Sequence, residues 1–432
     1  MDTDPRSHGL WEASAPPAPS TSSLGADIAS DAVVIGAGFT GLSAALHIAE
    51  TGRTVSVLEA AEIGFGASGR NVGLVNAGLW AKPSALREVL GDRHGARLLD
   101  ELGAAPALVF DIIDRYHVDC EAVRNGTLHC AVGAKGLQDI TERARQWQAL
   151  GAPVELLDAK ATFRQVGTHR YRGSLLDRRA GTIQPLAYAR GLARAALSRG
   201  ATIHTASPVI ATEDLGDRWR IRTAAGSVTA TWVIVATNAY STGIYSMLRA
   251  EVVRLPYFNL ATKPLDEATR GAILPDRQGI WDTCEVLSSL RLDRAGRLIF
   301  GSVGALRGTG RPIHRNWGRR ALLQLFPALH SVNFEHAWYG WIGMTDDSLP
   351  RFHRVARNTV SINGYNGRGI APGTAFGRDL ARLACGQITE ADLSLPATEL
   401  TSPRFRAARE AFYEVGAQIA HAAGARLPAV GA

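Results

Sequence analysis

The sequence predicts an α/β fold (α+β overall) in which a parallel-sheet domain is interleaved along the chain with a mixed, largely antiparallel domain. An apolar, β-branched run at 33–35 is typical of a buried parallel strand, and a glycine-rich turn and a helix follow it. Similar apolar runs that lead into small or polar residues recur at 231–236 and 359–362. Between these runs, residues 252–302 alternate apolar and polar side chains, as antiparallel strands do.

The first turn carries three glycines with the spacing G-x-G-x-x-G: Gly36, Gly38 and Gly41. The first permits a tight turn, the second lets a pyrophosphate approach the backbone, and the third lets the next helix pack on the strand. That helix is predicted over 39–50, where its free N–H groups would face phosphates. A strand at 54–58 delivers Glu59 about 20 positions after the glycines, the spacing of a carboxylate that binds a ribose hydroxyl. These elements predict a Rossmann-type dinucleotide site, with a glycine-rich turn of another α/β protein as the alternative.

The middle of the chain mixes helices with short strands. A loop at 62–73 contains so many glycine and small residues that it suits close approach of the backbone to a ligand. Periodicity and turn residues predict helices at 84–102, 106–116, 136–150 and 184–198, and strands at 126–132, 201–204, 218–223, 227–230 and 231–236.

The end of the chain repeats the strand–turn–helix pattern. Antiparallel strands are predicted at 257–262, 287–293 and 297–302, then a helix at 319–325, a strand at 359–362 and a helix at 374–385. The glycine loop 364–373 would place a helix N-terminus at a ligand late in the chain. Because a reduced flavin accumulates negative charge that such a positive pole stabilises, this loop favours a flavin over a nicotinamide. A second turn capped by glycine is the alternative.

This interleaving predicts the domain bounds. Residues 31–85, 175–250 and 335–390 are predicted to form the cofactor-binding domain, and 86–174 with 251–334 the substrate domain. An irregular N-terminal arm at 1–30 precedes them, and a C-terminal tail with a helix follows at 391–432. The split arrangement argues against a simple nicotinamide dehydrogenase, whose binding unit is usually one continuous block.

Composition and charge narrow the class of protein. The 432 residues are 46% hydrophobic and 20% charged, which is ordinary for a globular protein with a sizeable core. The net charge of +7 comes from scattered arginines, which favours an anionic substrate and predicts no nucleic-acid partner. No apolar run is as long as a membrane span requires, and the N-terminus lacks the pattern of a signal peptide.

The cysteines and histidines predict neither disulfides nor a metal site. Cys120, Cys130, Cys284 and Cys385 form no C-x-x-C pair, which is typical of thiols in a reducing cytoplasm. The histidines show no ligand spacing, so we expect no metal. The sequence leaves the oligomeric state undecided.

Several motifs together resemble the D-amino-acid oxidase-like flavoproteins. They are the segment 33–59, the loop 66–73 (GASGRNVG), the strand end 235–238 (VATN), and the ending 341–350 (WIGMTDDSLP) with 363–370 (NGYNGRGI). Within that family the chain is most similar to the γ-glutamylputrescine oxidase-like group, whose pattern residues 255–265 and 290–301 also match. The resemblance covers roughly residues 10–390.

The resemblance implies a bound FAD and the residues that contact it. These residues come from the first glycine turn, the loop after Glu59, the strand end and the late glycine loop, with Val209 at the adenine. They are Gly36, Gly38, Phe39, Thr40, Gly41, Glu59, Ala60, Gly66, Ala67, Ser68, Gly69, Arg70, Asn71, Val72, Gly73, Leu74, Val209, Ala236, Thr237, Asn238, Trp341, Gly343, Gly364, Asn366, Gly367, Arg368, Gly369 and Ile370. Related enzymes attach flavin through a cysteine near the position of Gly343 or a histidine in an early loop. Neither stands here, so we predict non-covalent FAD.

The resemblance also implies oxidation of a C–N bond in an amine or amino-acid substrate. Hydride would pass to flavin N5, the imine would hydrolyse, and oxygen would take up the electrons to give hydrogen peroxide. Arg70 is a candidate for stabilising superoxide, Arg291 for clamping a substrate carboxylate, and Asp282 for holding an ammonium group. An aromatic wall around the amine is predicted from Tyr257, Trp281, Trp341 and Tyr365. A surface arginine, a turn carboxylate and ordinary core aromatics are the alternatives.

Three other functions stay open at this stage. A dehydrogenase of the same fold would pass electrons to a quinone or a carrier protein and would react slowly with oxygen. A 2-hydroxy-acid oxidoreductase would attack a C–O bond and release no amine. A non-catalytic dinucleotide-binding protein would bind FAD without turnover.

Overall fold

The structure, a computed structural model, describes residues 8–424. Its helices are α1 (Leu10–Ser14), α2 (Phe39–Glu50), α3 (Pro83–Arg115), α4 (Gly133–Ala149), α5 (Ala159–Val166), α6 (Pro185–Ser198), α7 (Ser246–Ala250), α8 (Glu267–Ala272), α9 (Gly310–Leu325), α10 (Ile370–Ala384) and α11 (Arg406–Ala423). Its strands are β1 (Ile28–Ile35), β2 (Val55–Leu58), β3 (Leu74–Val75), β4 (Thr127–Cys130), β5 (Val154–Asp158), β6 (Gly173–Asp177), β7 (Gly181–Thr182), β8 (Thr202–His204), β9 (Ala211–Asp214), β10 (Trp219–Arg222), β11 (Ser227–Val235), β12 (Val253–Pro264), β13 (Gly279–Asp282), β14 (Ser288–Leu292), β15 (Arg297–Val303), β16 (Phe334–Met344), β17 (Arg351–Ala356) and β18 (Thr359–Asn363).

The first large sheet has the order β17-β18-β11-β1-β2-β8, with β10 and β9 added beside β11. The pairs that β1 forms with β11 and β2 are parallel, as are β2 with β8 and β11 with β18. Strand β1 is buried along Ala32–Ile35, which explains its apolar, β-branched sequence. This sheet confirms the predicted parallel α/β half of the fold.

The second large sheet has the order β16-β12-β15-β14-β13-β4-β6-β5. Its neighbours pair antiparallel except for β13 with β4. Its strands come from chain segments that alternate with those of the first sheet, so the predicted interleaving of a parallel and a largely antiparallel half is confirmed. A short pair, β3 with β7, makes a third sheet.

Several predicted elements and bounds differ from the structure. Strand β16 belongs to the second sheet although residue 335 was expected to open the last cofactor-binding segment, and β6 belongs there although 175 was expected to open the middle one. The two strands predicted at 227–230 and 231–236 are one strand, β11. The break predicted between the helices at 84–102 and 106–116 lies instead at Gly91, whose φ of 72° is outside the helical region and separates the two helical stretches that together make up α3.

The N-terminal arm is more ordered than predicted. Within it, Leu10 and Trp11 form part of α1 and are fully buried, and the Trp11 indole N–H donates to the Asn71 carbonyl at 2.8 Å. The Trp11 ring meets Trp338 edge-on, with ring centroids 5.3 Å apart. An indole that is buried with its N–H paired contributes both packing and a hydrogen bond, so the arm is part of the core. Residues 1–7 of the predicted arm and 425–432 of the predicted tail lie outside the described residues.

Helices α2 and α10 pack against each other closely enough that only small residues fit between them. A Cβ at Gly377 would lie 2.4 Å from the Thr40 carbonyl oxygen, and the Ser43 hydroxyl donates to the Thr374 carbonyl at 2.6 Å. The two helices therefore run side by side on the first sheet. Within residues 8–424, no helix combines the length and the apolar character needed to cross a bilayer.

The packing of the arm predicts the effect of Trp11→Ala. The substitution should lower the free energy of unfolding by about 3–5 kcal/mol, because it leaves a large cavity and an unpaired Asn71 carbonyl. Urea denaturation measures this change. Phe405→Ala is the control, since its ring is 81% exposed and its loss should change stability by no more than about 0.5 kcal/mol. Equal shifts for the two variants would contradict a buried arm.

Candidate active site

A cavity of about 1010 Å³ lies between the two large sheets. One side is formed by the carboxyl ends of parallel strands, represented by Ile35, Leu58 and Ala236. The other side is formed by residues of the second sheet, including Ser289 and Val303. Ligands of open α/β sheets bind outside the carboxyl ends of the strands, so the cavity has the position expected of a binding site.

The N-terminus of α2 opens into this cavity. Gly38 precedes the helix and no side chain caps it, although the Phe39 N–H donates to the Ser68 hydroxyl at 3.1 Å. Gly36 has φ 105°, a conformation that glycine adopts readily. Gly41 lies outside the cavity wall, and a Cβ there would be 2.0 Å from the Gly36 carbonyl oxygen. The third glycine thus permits the helix to pack on the turn, while the first two leave room for a ligand.

Glu59 is buried beside this turn and holds it in shape. One carboxylate oxygen accepts from the Ala37 N–H at 2.7 Å, and the other accepts from the Ala61 N–H at 2.9 Å. Burial raises the pKa of Glu59, while the backbone hydrogen bonds oppose that shift. Each oxygen keeps a further lone pair, and Glu59 lines the cavity. The side chain can therefore fix the glycine turn and accept hydrogen bonds from a ligand at once.

A second helix N-terminus reaches the same cavity. Helix α10 begins at Ile370 after Gly369, again without a side-chain cap, and both residues line the cavity. The Tyr365 hydroxyl lies 2.7 Å from the Thr40 hydroxyl, which links the loop before α10 to the first turn of α2. Two positive helix ends at one cavity favour a ligand with more than one region of negative charge.

Two buried arginines add fixed positive charge to the cavity wall. Arg70 is 4% exposed, and its Nε and Nη2 atoms have no hydrogen-bond partner among the described residues. Arg368 lies between the rings of Trp80, at 4.8 Å, and Trp281, at 5.1 Å, and donates from Nη1 to the Ala77 carbonyl at 3.0 Å. Burial, with the nearby Arg143 charge, lowers the pKa of Arg368 to about 9. Buried cations with free donors suit an anionic or acceptor-rich ligand.

The aromatic residues predicted for the substrate end lie in the cavity wall. The Tyr257 hydroxyl is 2.7 Å from the Ser289 hydroxyl, and Trp281 has no partner for its indole N–H among residues 8–424. The Trp341 ring is flanked by the guanidinium groups of Arg254, at 5.8 Å, and Arg307, at 5.6 Å. Tyr365 completes the set.

Most of the predicted cofactor contacts lie in the same wall. They are Gly36, Gly38, Phe39, Thr40, Glu59, Ala60, Gly66, Ala67, Ser68, Arg70, Asn71, Val72, Leu74, Val209, Ala236, Thr237, Asn238, Trp341, Gly343, Asn366, Gly367, Arg368, Gly369 and Ile370. Gly69, Gly73 and Gly364 lie behind the wall with Gly41, since a Cβ at each would lie within 2.5 Å of neighbouring atoms. Those glycines permit close packing of the loops and do not line the cavity.

Arg291 is not in the cavity, so the prediction that it clamps a substrate carboxylate is wrong. Its side chain is fully buried, donates from Nη1 to the Ile183 carbonyl, and lies 3.8 Å from a Glu121 carboxylate oxygen. Burial lowers the pKa of Arg291 to about 10. Its guanidinium lies 5.5 Å from the Trp11 ring, so the arginine connects the arm to the second sheet. The sequence could not show which face of β14 met the cavity.

Asp282 is also a structural residue and does not line the cavity. Its carboxylate accepts from the Cys284 N–H at 3.0 Å and the Ser288 N–H at 3.2 Å, which closes the loop between β13 and β14. This is the turn carboxylate that was the alternative to an ammonium-binding role. Burial raises the pKa of Asp282 to about 6.

Some cavity residues carry no signal in the sequence. Phe65, Trp80, Tyr240 and Arg254 are single residues in loops or at strand ends, where periodicity is uninformative. The C-terminal helix α11 contributes Phe412, Tyr413, Gly416, Ala417 and Ala420, although the tail that contains it was not predicted to reach the cofactor site. Only the tertiary fold brings these residues to the cavity.

The residues of the cavity fit FAD. Uncapped helix ends suit the pyrophosphate and the electron-rich edge of the flavin, the Glu59 carboxylate suits ribose hydroxyls, and the glycines leave the turn open where a Cβ would intrude. The unpaired Arg70 nitrogens provide donors that the protein leaves unused. Apolar and aromatic walls suit a flat conjugated ring.

Comparison with known proteins agrees with this geometry. The family model described as "FAD dependent oxidoreductase" matches residues 31–383. The chain belongs to this FAD-dependent oxidoreductase family. Membership confirms the resemblance to D-amino-acid oxidase-like flavoproteins and the prediction of FAD as cofactor.

Individual relatives extend the comparison. The chain is 34% identical over 403 residues to the gamma-glutamylputrescine oxidoreductase of Escherichia coli K12, which covers 91% of this chain and 92% of that protein. Glycine oxidase from Geobacillus kaustophilus superposes with a TM-score of 0.69 at 18% identity, and L-proline dehydrogenase from P. horikoshii with 0.69 at 19%. Both matches cover 84% of this chain and 96% of the other chain, and they confirm the fold.

The geometry of the first turn predicts that Gly36→Ala weakens FAD binding about ten-fold or more. Alanine is strained at a φ of 105°, and its Cβ would lie 3.0 Å from the Ala236 carbonyl oxygen at the cavity. Titration of the apoprotein with FAD measures the change. Gly52→Ala is the matched control, because Gly52 also has a positive φ, of 81°, but has open space around it and does not line the cavity. An equal loss of FAD affinity in both variants would refute a specific role for Gly36.

The raised pKa of Asp282 predicts a pH-dependent contribution to stability. Between the unfolded pKa of about 4 and the folded pKa of about 6, the native state binds more protons than the unfolded state. The contribution of Asp282 to stability is therefore full below pH 4 and is lost as the pH rises through 6. Asp282→Asn keeps an acceptor for both amides and should remove this slope. Melting temperatures measured from pH 4 to 7.5 test this prediction. If the pKa of Asp282 were normal, they would change with pH to the same extent in the wild type and in Asp282→Asn.

Proposed function

We propose that this enzyme oxidises a C–N bond of an amine or amino-acid substrate, with oxygen as the final electron acceptor and hydrogen peroxide as a product. The observation that carries the proposal is one continuous cavity that joins the two helix N-termini to the aromatic wall of the second sheet. The name of the Escherichia coli relative, a gamma-glutamylputrescine oxidoreductase, supports an amine substrate.

We propose that the cofactor is held without a covalent bond. The described residues of the cavity wall include neither a cysteine nor a histidine, the residue types that the resemblance associates with flavin attachment. Affinity would instead come from the turns around Gly36 and Gly369 and from Glu59. A cytoplasmic location is part of the same proposal, since the four cysteines are unpaired thiols.

The division of work between cofactor and protein follows from the cavity. FAD, when bound, accepts the two electrons that are removed when the C–N bond is oxidised. Tyr257, Trp281 and Trp341 would orient the substrate and exclude water from the reacting carbon. An amine that binds in its neutral form needs no strong base there. Among the carboxylates that line the described cavity, Glu59 lies at the glycine turn, where it binds the Ala37 and Ala61 amides, and Glu285 is exposed at the surface.

The two buried arginines have separate proposed roles. Arg70, with two unpaired nitrogens, would stabilise an anion formed from oxygen, because a fixed charge in a site of low dielectric needs no reorganisation. Arg368 belongs to the late glycine loop and lies between the rings of Trp80 and Trp281. Its charge would stabilise the electron-rich edge of the reduced cofactor. Tyr365 would keep this loop in register with α2 through its bond to Thr40.

Anaerobic mixing tests the proposed function. The FAD-loaded enzyme should lose its yellow absorbance with at least one member of a panel of N-alkyl amino acids, D-amino acids and acylated diamines. Admission of oxygen should restore the colour quickly and give hydrogen peroxide equal to the amine consumed. Arg70→Met should slow the recovery of colour in oxygen by about a hundred-fold, as expected when one stabilising donor is removed. The FAD content of the variant should fall by much less than this factor.

The same experiment separates the other functions. Bleaching followed by slow recovery in oxygen but fast recovery with a quinone would indicate a dehydrogenase. Bleaching by glycolate or lactate, with no amine released, would indicate a 2-hydroxy-acid oxidoreductase. Bound FAD that no compound of the panel bleaches would refute the proposal.

A further inference from the structure

The C-terminal helix α11 exposes an apolar face to solvent. The family match ends at residue 383, so this helix, at Arg406–Ala423, lies beyond the part of the chain that defines the family. The exposed residues of α11 are all apolar: Ala407, Ala408, Ala411, Phe412, Val415, Ile419 and Ala423. A surface helix normally presents charged and polar residues to water. The exposed face of α11 is therefore of the kind that proteins usually place in an interface.

The charged residues of α11 lie in ion pairs rather than on this face. Each of its four charged side chains is within ion-pair distance of an opposite charge, and the pairs are Arg249–Glu410, Arg307–Glu414, Arg409–Asp346 and Arg406–Glu410. The first three pairs connect the helix to other parts of the chain. A partner bound on the exposed face would thus cover carbon atoms and would leave the ion pairs in place, which avoids the cost of removing charges from water.

The apolar face has the spacing of a coiled-coil seam. Its residues Ala408, Phe412, Val415, Ile419 and Ala422 follow one another at alternating intervals of four and three positions. These are the a and d positions of a heptad, whose side chains pack against a second helix. The other side of α11 already packs on β12, β15 and α9. The spacing therefore indicates another helix as the occupant of the free side.

The area of the face is large enough for a weak dimer. Phe405, which directly precedes the helix with φ 53°, is 81% exposed, Phe412 is 71%, Ile419 65% and Val415 53% exposed. At these exposures the four side chains present roughly 500 Å² of apolar surface, given what an aromatic side chain can bury. The exposed alanines of the helix add to this area. The sum approaches the ~600 Å² per partner at which specific interfaces begin.

The face is complementary to itself when two copies run antiparallel. A two-fold axis between positions 413 and 414 places Phe412 opposite Val415 of the partner subunit. The same axis places Ala408 opposite the partner's Ile419. Each layer then combines a larger with a smaller side chain, as close packing requires. A parallel pair would instead set phenylalanine against phenylalanine and alanine against alanine, which leaves the layers uneven.

We propose that the exposed face of α11 is a self-association surface, on which a second copy of this chain packs its own α11 in antiparallel orientation. Phe412 is exposed and also lines the cavity, so it lies at the cavity opening. The partner helix would cover this part of the opening. The inference goes beyond the proposed function and does not depend on which substrate is oxidised.

Sedimentation velocity of the FAD-loaded protein tests the surface. The wild type should form a dimer with a Kd in the micromolar range, as expected for an interface of small area. Val415→Glu should weaken this dimer by about a hundred-fold or more, because the two-fold axis brings an unpaired carboxylate into the interface twice. Val89→Glu is the matched control and should dimerise as the wild type does, since Val89 lies on α3 and is 56% exposed.

Cross-linking tests the antiparallel register. Ala408→Cys and Ile419→Cys, combined in one chain, should link two copies through disulfides on mild oxidation. The two positions face each other across the axis, whereas within one helix they are about 16 Å apart, beyond the reach of a disulfide. Either substitution alone should cross-link no more than the wild type, which carries the exposed Cys284.

Three results would overturn the proposal. The first is a wild type that stays monomeric at about 100 μM, well above a micromolar Kd, even if it binds lipid vesicles instead. The second is a dimer that Val415→Glu leaves intact, because the interface would then lie elsewhere. The third is a dimer that Val415→Glu dissociates but that the combined cysteines do not cross-link. Val415→Glu should keep the FAD content and the melting temperature of dilute wild type, which excludes misfolding as the cause.

Discussion

The close packing of α2 against α10 is the constraint on which the rest of the site depends. Glycine at 377 lets the two helices approach until the Thr40 carbonyl leaves no room for a Cβ. Their uncapped N-termini then meet at one cavity, although they begin more than three hundred residues apart in the chain. Each end carries unpaired N–H groups and a partial positive charge, which a bound anion satisfies. Looser packing would separate the two poles and divide one ligand site into two weaker ones.

Around these helix N-termini, buried polar side chains hold the neighbouring turns in a fixed conformation. Glu59 holds the glycine turn through the Ala37 amide, and Ser68 binds the Phe39 amide from the neighbouring loop. Such bonds fix the turn before any ligand arrives, so less conformational entropy is lost on binding. Arg70 differs, because its unpaired nitrogens are held by burial and by the Phe65 ring, 4.8 Å away. The turn that would bind the cofactor is therefore held rigidly before binding. Arg70, where chemistry is proposed, instead keeps hydrogen-bond donors without an acceptor.

The part of the cavity wall that the second sheet forms is held in place in a different way. Its walls are aromatic rings whose positions depend on charged neighbours, as Trp341 does on Arg254 and Arg307. Of these, Arg307 pairs through its guanidinium with Glu414 of α11, whereas Glu410 of α11 binds the backbone N–H of Arg254, whose guanidinium donates to the Ala239 carbonyl. Ion pairs of this kind contribute little stability when exposed, but here they orient a wall.

The sequence by itself determined the parallel sheet, the glycine turn at 36–41, Glu59 and the late loop at 364–370, because each depends on local spacing between neighbours in the chain. It also predicted the interleaved halves of the fold, because continuous apolar runs indicate strands buried on both faces and alternation of apolar and polar residues indicates strands buried on one face. Both patterns lie within short stretches of the chain. Which face of a strand meets the cavity depends on sheet packing, and so Arg291 was placed in the site when it lies in the core. The burial of Trp11 and the arrival of α11 at the cavity needed the tertiary structure for the same reason. Contacts between residues hundreds of positions apart leave no periodic signal, and only the folded chain decides them.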